Sequence, residues 1–162
     1  MMKMVSGLLL LLFLIITGLL AGALAANSAS WNEPPGALKR LRIYLGTHVA
    51  TTENSPLPEL KPRRYPLTGE RAIETLRQAL AELGWVESAY DPERSELHAV
   101  VTTRLWRFKD DLRIWVEEEE EGAVIRAHSQ SRLGKGDLGA NARHILDLFE
   151  TLDRIVGPDQ GA

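Results

Sequence analysis

Between Leu97 and Arg132, apolar and polar side chains trade places at every second position in three successive stretches separated by short connections. Leu97, Ala99 and Val101 alternate with His98, Val100 and Thr102; Leu112, Ile114 and Val116 alternate with Arg113, Trp115 and Glu117. Ile125 and Ala127 then alternate with Arg126, His128, Gln130 and Arg132. Successive side chains of a strand point to opposite faces, so each stretch predicts a strand with one side to bury. Short links between such strands favour antiparallel pairing, with one face covered and the other wet. Trp85–Tyr90 reads as a further strand, Asp91-Pro92-Glu93-Arg94 as a type I turn, and Glu118–Gly122 as the turn into the last strand.

Two helical patterns supply the cover. Thr68 is placed to cap a helix carrying Ile73, Leu76, Leu80 and Leu83, with Gly84 as its stop signal. Near the end of the chain Ile145, Leu148, Phe149, Leu152, Ile155 and Val156 form one apolar stripe. Lys61-Pro62-Arg63-Arg64-Tyr65 suits an edge strand, where a proline is tolerated. The expected fold is α+β: an antiparallel meander sheet of about four to five strands with two main helices packed on one face, plus an N-terminal signal or anchor helix. The order is strand, helix, four strands, helix.

The first 25 residues stand apart. Lys3 precedes the apolar run Leu8–Ile16, and Ala23-Leu24-Ala25 supplies a small-x-small ending, the form of a secretory signal cleaved after Ala25. The alternative is a retained anchor: residues 5–26 as a helix extend about 33 Å, a bilayer's width. Either way the basic start stays inside and the rest is expected to be exported, periplasmic or held at the periplasmic face of the inner membrane. Membrane association is then expected only through residues 5–26, if uncleaved. Residues 26–66 contain six prolines and read as a tether, a short helix at Leu38–Leu45 and an irregular approach. Residues 67–157 read as a single α+β domain.

The 162 residues carry a net charge of −3, which argues against a nucleic-acid partner, since phosphate neutralisation needs a basic surface. Without cysteine there is neither a disulfide framework nor a thiolate metal centre, and no cofactor is expected. The four histidines show no metal-ligand spacing.

If the helices cover the face bearing Leu97, Ile114 and Ile125, the other face carries Arg113, Trp115, Arg126 and His128, a shallow cationic surface with an aromatic platform. Residues 129–143 are more unusual, placing Arg, Ser, Asp, Asn and glycines between the last strand and the last helix. Asp137 is expected to cap that helix, with Asn141 and Arg143 tying the loop to neighbouring carbonyls. Arg132, Lys135 and Arg143 form the exposed remainder. In Thr103–Asp111, Arg104 and Arg107 are placed to pair with Asp110 and Asp111. The preferred reading is a non-enzymatic domain binding an envelope protein or a polar or anionic small ligand through Arg104, Arg107, Asp110, Asp111, Arg132, Lys135, Asp137, Asn141 and Arg143. Competing readings are a hydrolase-like enzyme around His128 and Asp137, and a purely structural protein. Against the enzyme, His128 and Ser129 point to opposite faces of a strand and cannot act as base and nucleophile together.

Two segments also resemble a known family. TRLWRFKDD at Thr103–Asp111 and SQSRLGKGDLGANAR at Ser129–Arg143 are similar to the paired motifs of the domain of unknown function 1499 family, written S-R-L-F-R-F-x-D-D and R-S-x-S-R-x-G-x-x-D-L-G-x-N-x-x-R. The resemblance runs from about Leu38 to Ile155. It implies a bacterial-envelope or plastid location and marks Arg107, Asp110, Asp111, Ser129, Ser131, Arg132, Gly134, Asp137, Gly139 and Asn141. It implies no activity, because the family has none established. The chain departs from the pattern at His128, where arginine is usual, at Ala142, where a basic residue is common, and at Thr47-His48-Val49-Ala50, which stands in place of an asparagine-cysteine-valine-serine segment.

Overall fold

The computed structural model describes residues 2–27, 36–44, 46, 48–103, 107–133 and 139–157. Helix α1 (Met2–Asn27) is followed by α2 (Ala37–Tyr44), β1 (His48–Ala50), a 3-10 turn (Pro58–Leu60), β2 (Arg63–Tyr65) and α3 (Gly69–Glu82). Then come β3 (Val86–Asp91), β4 (Glu96–Thr102), β5 (Lys109–Glu119), β6 (Gly122–Ser131) and α4 (Ala140–Val156). Strands β3 to β6 form the antiparallel meander predicted by the alternation. β1 and β2 both pair with the far edge of β6, β1 opposite residues 128–130 and β2 opposite 123–125. Among the described residues the sheet therefore has six strands. The sixth is β1, whose three residues bury one side chain, Val49, too short a run for a two-residue period to show.

The α+β class is as expected, and α3 and α4 both contribute their apolar stripes to the core. Ala72, Ile73, Leu76, Ala79 and Leu80 of α3 and Ile145, Leu148, Phe149 and Leu152 of α4 lie with Leu97, Leu112, Ile114 and Ile125 of the sheet. Each such large side chain removed from water contributes about 1.5–3 kcal/mol. α3 starts where Thr68 Oγ1 accepts from the Arg71 amide, and Glu118, reaching across from β5, accepts from the Gly69 amide at 2.5 Å. The carboxylate there satisfies an orphan amide and faces the positive end of the helix. Gly84, at φ +69°, lets the chain turn back into β3.

Residues 37–66 also enter the core, through Val49, Leu57, Leu60 and Tyr65. Arg40 of α2 is fully buried and ion-paired with Glu59 of the 3-10 turn. β2 is held to α4, with Tyr65 donating to Asp153 at 2.7 Å and the Arg63 guanidinium 5.5 Å from the centre of the Phe149 ring. Burial, followed by the Asp153 carboxylate, drives the Tyr65 hydroxyl far above its ordinary range and keeps it a donor. All described side chains of α1 from Ser6 to Gly22 are exposed. Among the described residues no helix is long and apolar enough to cross a membrane.

Candidate functional site

The two charged motifs meet at one end of the sheet, where β5 begins, β6 ends and α4 starts. Register places Asp110 opposite Ser131 and Asp111 opposite Gln130. Consecutive residues face opposite ways, so Asp110, Ser129 and Ser131 turn toward α4 while Asp111, Gln130 and Arg132 turn outward. The end thus has an inner and an outer half.

The inner half is a buried polar cluster. Ser129 and Asn141 are fully buried, and Asp110 and His144 nearly so. The Ser129 hydroxyl donates to Asn141 Oδ1 at 2.6 Å, and Asn141 Nδ2 donates to Ser131 Oγ at 2.9 Å. Having given its single proton to Asn141, Ser129 accepts from His144 Nδ1 at 3.2 Å, which assigns the ring proton to that nitrogen. The same Nδ1 lies 3.7 Å from Asp110 Oδ2, and the Trp85 ring meets the imidazole edge-on at 5.8 Å. Burial lowers the His144 pKa to about 4, with Asp147 pulling weakly the other way. Ser, His and Asp together invite comparison with a hydrolytic triad, but the geometry does not support one. Serine and aspartate share a single ring nitrogen, whereas a triad sets them on opposite nitrogens of the imidazole, and the hydroxyl is fully buried. The cluster instead fastens the end of β6 to the first turn of α4.

Removing one of its members leaves partners stranded. Asn141→Ala is expected to cost about 2 kcal/mol and to speed amide exchange in residues 132–133 and 139–140. Denaturant unfolding and exchange measurements check both; a loss below about 0.5 kcal/mol would mean that the side chain fastens nothing.

On the outer half, Arg132 grips Asp111 through two nitrogens, Nε at 2.9 Å from Oδ1 and Nη2 at 2.5 Å from the same oxygen. The hydrogen bond and charge of Asp111 push the Arg132 pKa upward. The antiparallel register brings the end of β6 beside Asp111 and so allows this pairing, while the expected partner Arg104 lies outside the described residues. Arg107 is exposed at φ +56° and makes no ion pair among the described residues. Its loop is closed by Thr103, whose amide donates to the Phe108 carbonyl and whose hydroxyl accepts from the Phe108 amide. Phe108 and Leu133 are both exposed here. Arg104, Lys135 and Asp137 lie outside the described residues. At the start of α4 the capping position is Gly139, at φ +88°, with no side-chain cap bond. Among the described residues Arg143 turns along its own helix to Asp147 and Glu150, at 2.7 and 2.8 Å. Asn141 bonds to the side chains of Ser129 and Ser131.

The outer sheet face carries Arg113, Trp115, Arg126 and His128 as expected, yet it is charge-balanced rather than cationic. Arg113 pairs with Glu96 at 2.6 Å, and Arg126 with Glu117 at 3.0 Å and Glu53 at 3.4 Å. Glu96 is buried beneath Arg113, His98 and Trp115. Burial raises its pKa, but hydrogen bonds from Arg113 and Trp115 outweigh this and hold it below the usual carboxylate range. Sequence reasoning missed Glu96 and His144. His144 did leave a signal, being a polar residue three positions after Asn141 on the apolar stripe. Two surface clefts, one beside Leu67, Thr75 and Ile155 and one beside Ile73, Tyr90 and Val116, include neither His128 nor any motif residue.

The molecule is thus an α+β domain with a one-sided antiparallel sheet, in which the start of β5, the end of β6 and the start of α4 meet over a buried polar cluster. The chain belongs to the family described as "Protein of unknown function (DUF1499)", which matches residues 30–152. No curated protein matches it.

Proposed function

We propose that this is an exported cell-envelope domain that holds a partner protein or a polar or anionic ligand where its two motif loops converge. The observation carrying this reading is the division of labour at that end: a buried Asp110–Ser129–Asn141–His144 cluster fixes the loop bases, while Arg107, Phe108, Arg132 and Leu133 remain outside. Rigid support beneath exposed loops is how recognition surfaces keep their geometry. Among the described residues Arg107 has no carboxylate to displace, and the exposed Arg132–Asp111 pair exchanges readily: an incoming anion takes the guanidinium, or an incoming cation takes the carboxylate. Phe108 and Leu133 add apolar contact beside these charges. Lys3, the apolar run after it and the small-residue ending at Ala25 support export, to the periplasm or to the periplasmic face of the inner membrane.

Photocrosslinking residues at positions 108 and 133 of the exported chain are expected to give adducts, with none from position 94 at the opposite end of the sheet. Replacing Arg107 and Arg132 together by alanine is expected to abolish those adducts while leaving the melting temperature unchanged. Equal adducts from position 94, or adducts indifferent to the double substitution, overturn the reading.

A further inference from the structure

On the outer face, away from the motif loops, His48 of β1 and His128 of β6 stand as diagonal neighbours: His48 is opposite Gln130, and Ala50 is opposite His128. Their ring centres are 6.0 Å apart, with the planes tilted by 51°. We propose that His48 and His128 form a two-histidine site for a late first-row divalent cation such as Zn²⁺ or Cu²⁺, with water filling the remaining positions.

The spacing is the main argument. An imidazole nitrogen binds Zn²⁺ at about 2.0–2.1 Å, which puts the metal about 3.2 Å from the ring centre. Two rings sharing one ion can then have centres at most about 6.4 Å apart, and about 5.2 Å apart at a tetrahedral angle. The observed separation lies inside that limit, and rotation of either side chain by less than an ångström reaches the tetrahedral value. The rings are tilted rather than stacked, so neither blocks the approach to the other.

The backbone beneath them is fixed. Thr51 donates to the Ala127 carbonyl at 2.8 Å, and the Ala127 amide donates to Thr51 Oγ1 at 2.9 Å, pinning β1 to β6 beside the pair. Sites carried on paired strands hold their geometry better than sites on loops. His48 is exposed and His128 half-buried, so the pair is open to solvent. Burial, followed by the charges of His48 and Arg113, lowers the His128 pKa. Arg113, opposite His128 on β5, is the nearby cation, and its charge is drawn into the Glu96 carboxylate at 2.6 Å. Imidazole ligands favour Cu²⁺, Ni²⁺ and Zn²⁺; Mg²⁺ and Ca²⁺ need oxygen ligands that this pair lacks.

The full-length chain is titrated calorimetrically with ZnSO₄ and with CuSO₄ at pH 7.5, alongside His48→Ala, His128→Gln and His98→Ala. One ion per chain is expected at pH 7.5, with binding weakened at least about tenfold by either His48→Ala or His128→Gln and unchanged by His98→Ala. Spectra of the Cu²⁺ form should report two coordinating nitrogens. In the unaltered chain, the ring resonances of His48 and His128 should shift together on adding Zn²⁺, a readout independent of whether the variants fold. Binding unaffected by His128→Gln, equal loss from His98→Ala, or ring shifts confined to other histidines overturns the site.

Discussion

Gly122→Ala is expected to destabilise the domain by about 3 kcal/mol or more, lowering its melting temperature by roughly 10 °C. Gly122 opens β6 at φ +136°, a conformation that side-chain-bearing residues rarely adopt. A Cβ there would lie 2.2 Å from the Tyr65 carbonyl oxygen and 3.0 Å from Pro66 Cα, both backbone atoms. No rotamer relieves such a clash, so β2 has to move away from β6. That movement loosens the Tyr65–Asp153 hydrogen bond and the packing of Arg63 on Phe149. Gly84→Ala is the control. Gly84 has φ +69° with nothing within 4 Å of its added Cβ, so it reports the backbone strain alone, about 1 kcal/mol. Thermal unfolding showing Gly122→Ala no worse than Gly84→Ala would mean that β2 does not press on that hairpin.

Stability is also expected to fall by up to about 3 kcal/mol as pH drops from 6.5 to 4, through His144 alone. Its folded pKa, held at about 4 by burial, lies below the value of 6.5 for an unperturbed imidazole. Between those values the unfolded chain binds a proton that the folded chain refuses. The contribution is therefore complete above pH 6.5 and gone below pH 4. Carboxylates such as Glu82 and Glu96, also depressed, lose their contributions at the lower end of this range. The diagnostic is consequently the difference between the unaltered chain and His144→Gln, measured by denaturant unfolding at several pH values. The variant is expected to show a shallower dependence between pH 6.5 and 4. A steeper one would mean that the Asp110 carboxylate, 3.7 Å from the ring, stabilises the imidazolium instead.

The sheet meander and both covering helices were legible because their apolar residues keep a strict period over six or more positions. The Pro62 edge strand was legible from its proline. The convergence of the motifs followed from antiparallel order. The buried half of the site was written in the same alphabet but is harder to read. Asp110 shares parity with Leu112 and Ile114, and Ser129 and Ser131 share it with Ile125 and Ala127, so all three sit on the core side. Asn141 and His144 fall on the stripe of α4 that faces them. Polar residues in core register suggest partners, yet a sequence cannot name partners that lie on different elements. The pairing of Arg132 with Asp111 was hidden for the same reason, since charge type alone did not favour it over Arg107. Glu96 was obscured by lying on the wet face, where its burial comes from the larger side chains of Arg113 and Trp115 above it.

Two short strands laid end to end on β6 decide where this domain can be cut. A fragment beginning at residue 67 would keep every strongly patterned element, yet it would bare the whole outer border of β6. Its unpaired amides and carbonyls would then invite another chain to dock in their place. The proline-rich segment before α3 is thus a clasp, and its weak pattern conceals how much of the domain's solubility it safeguards.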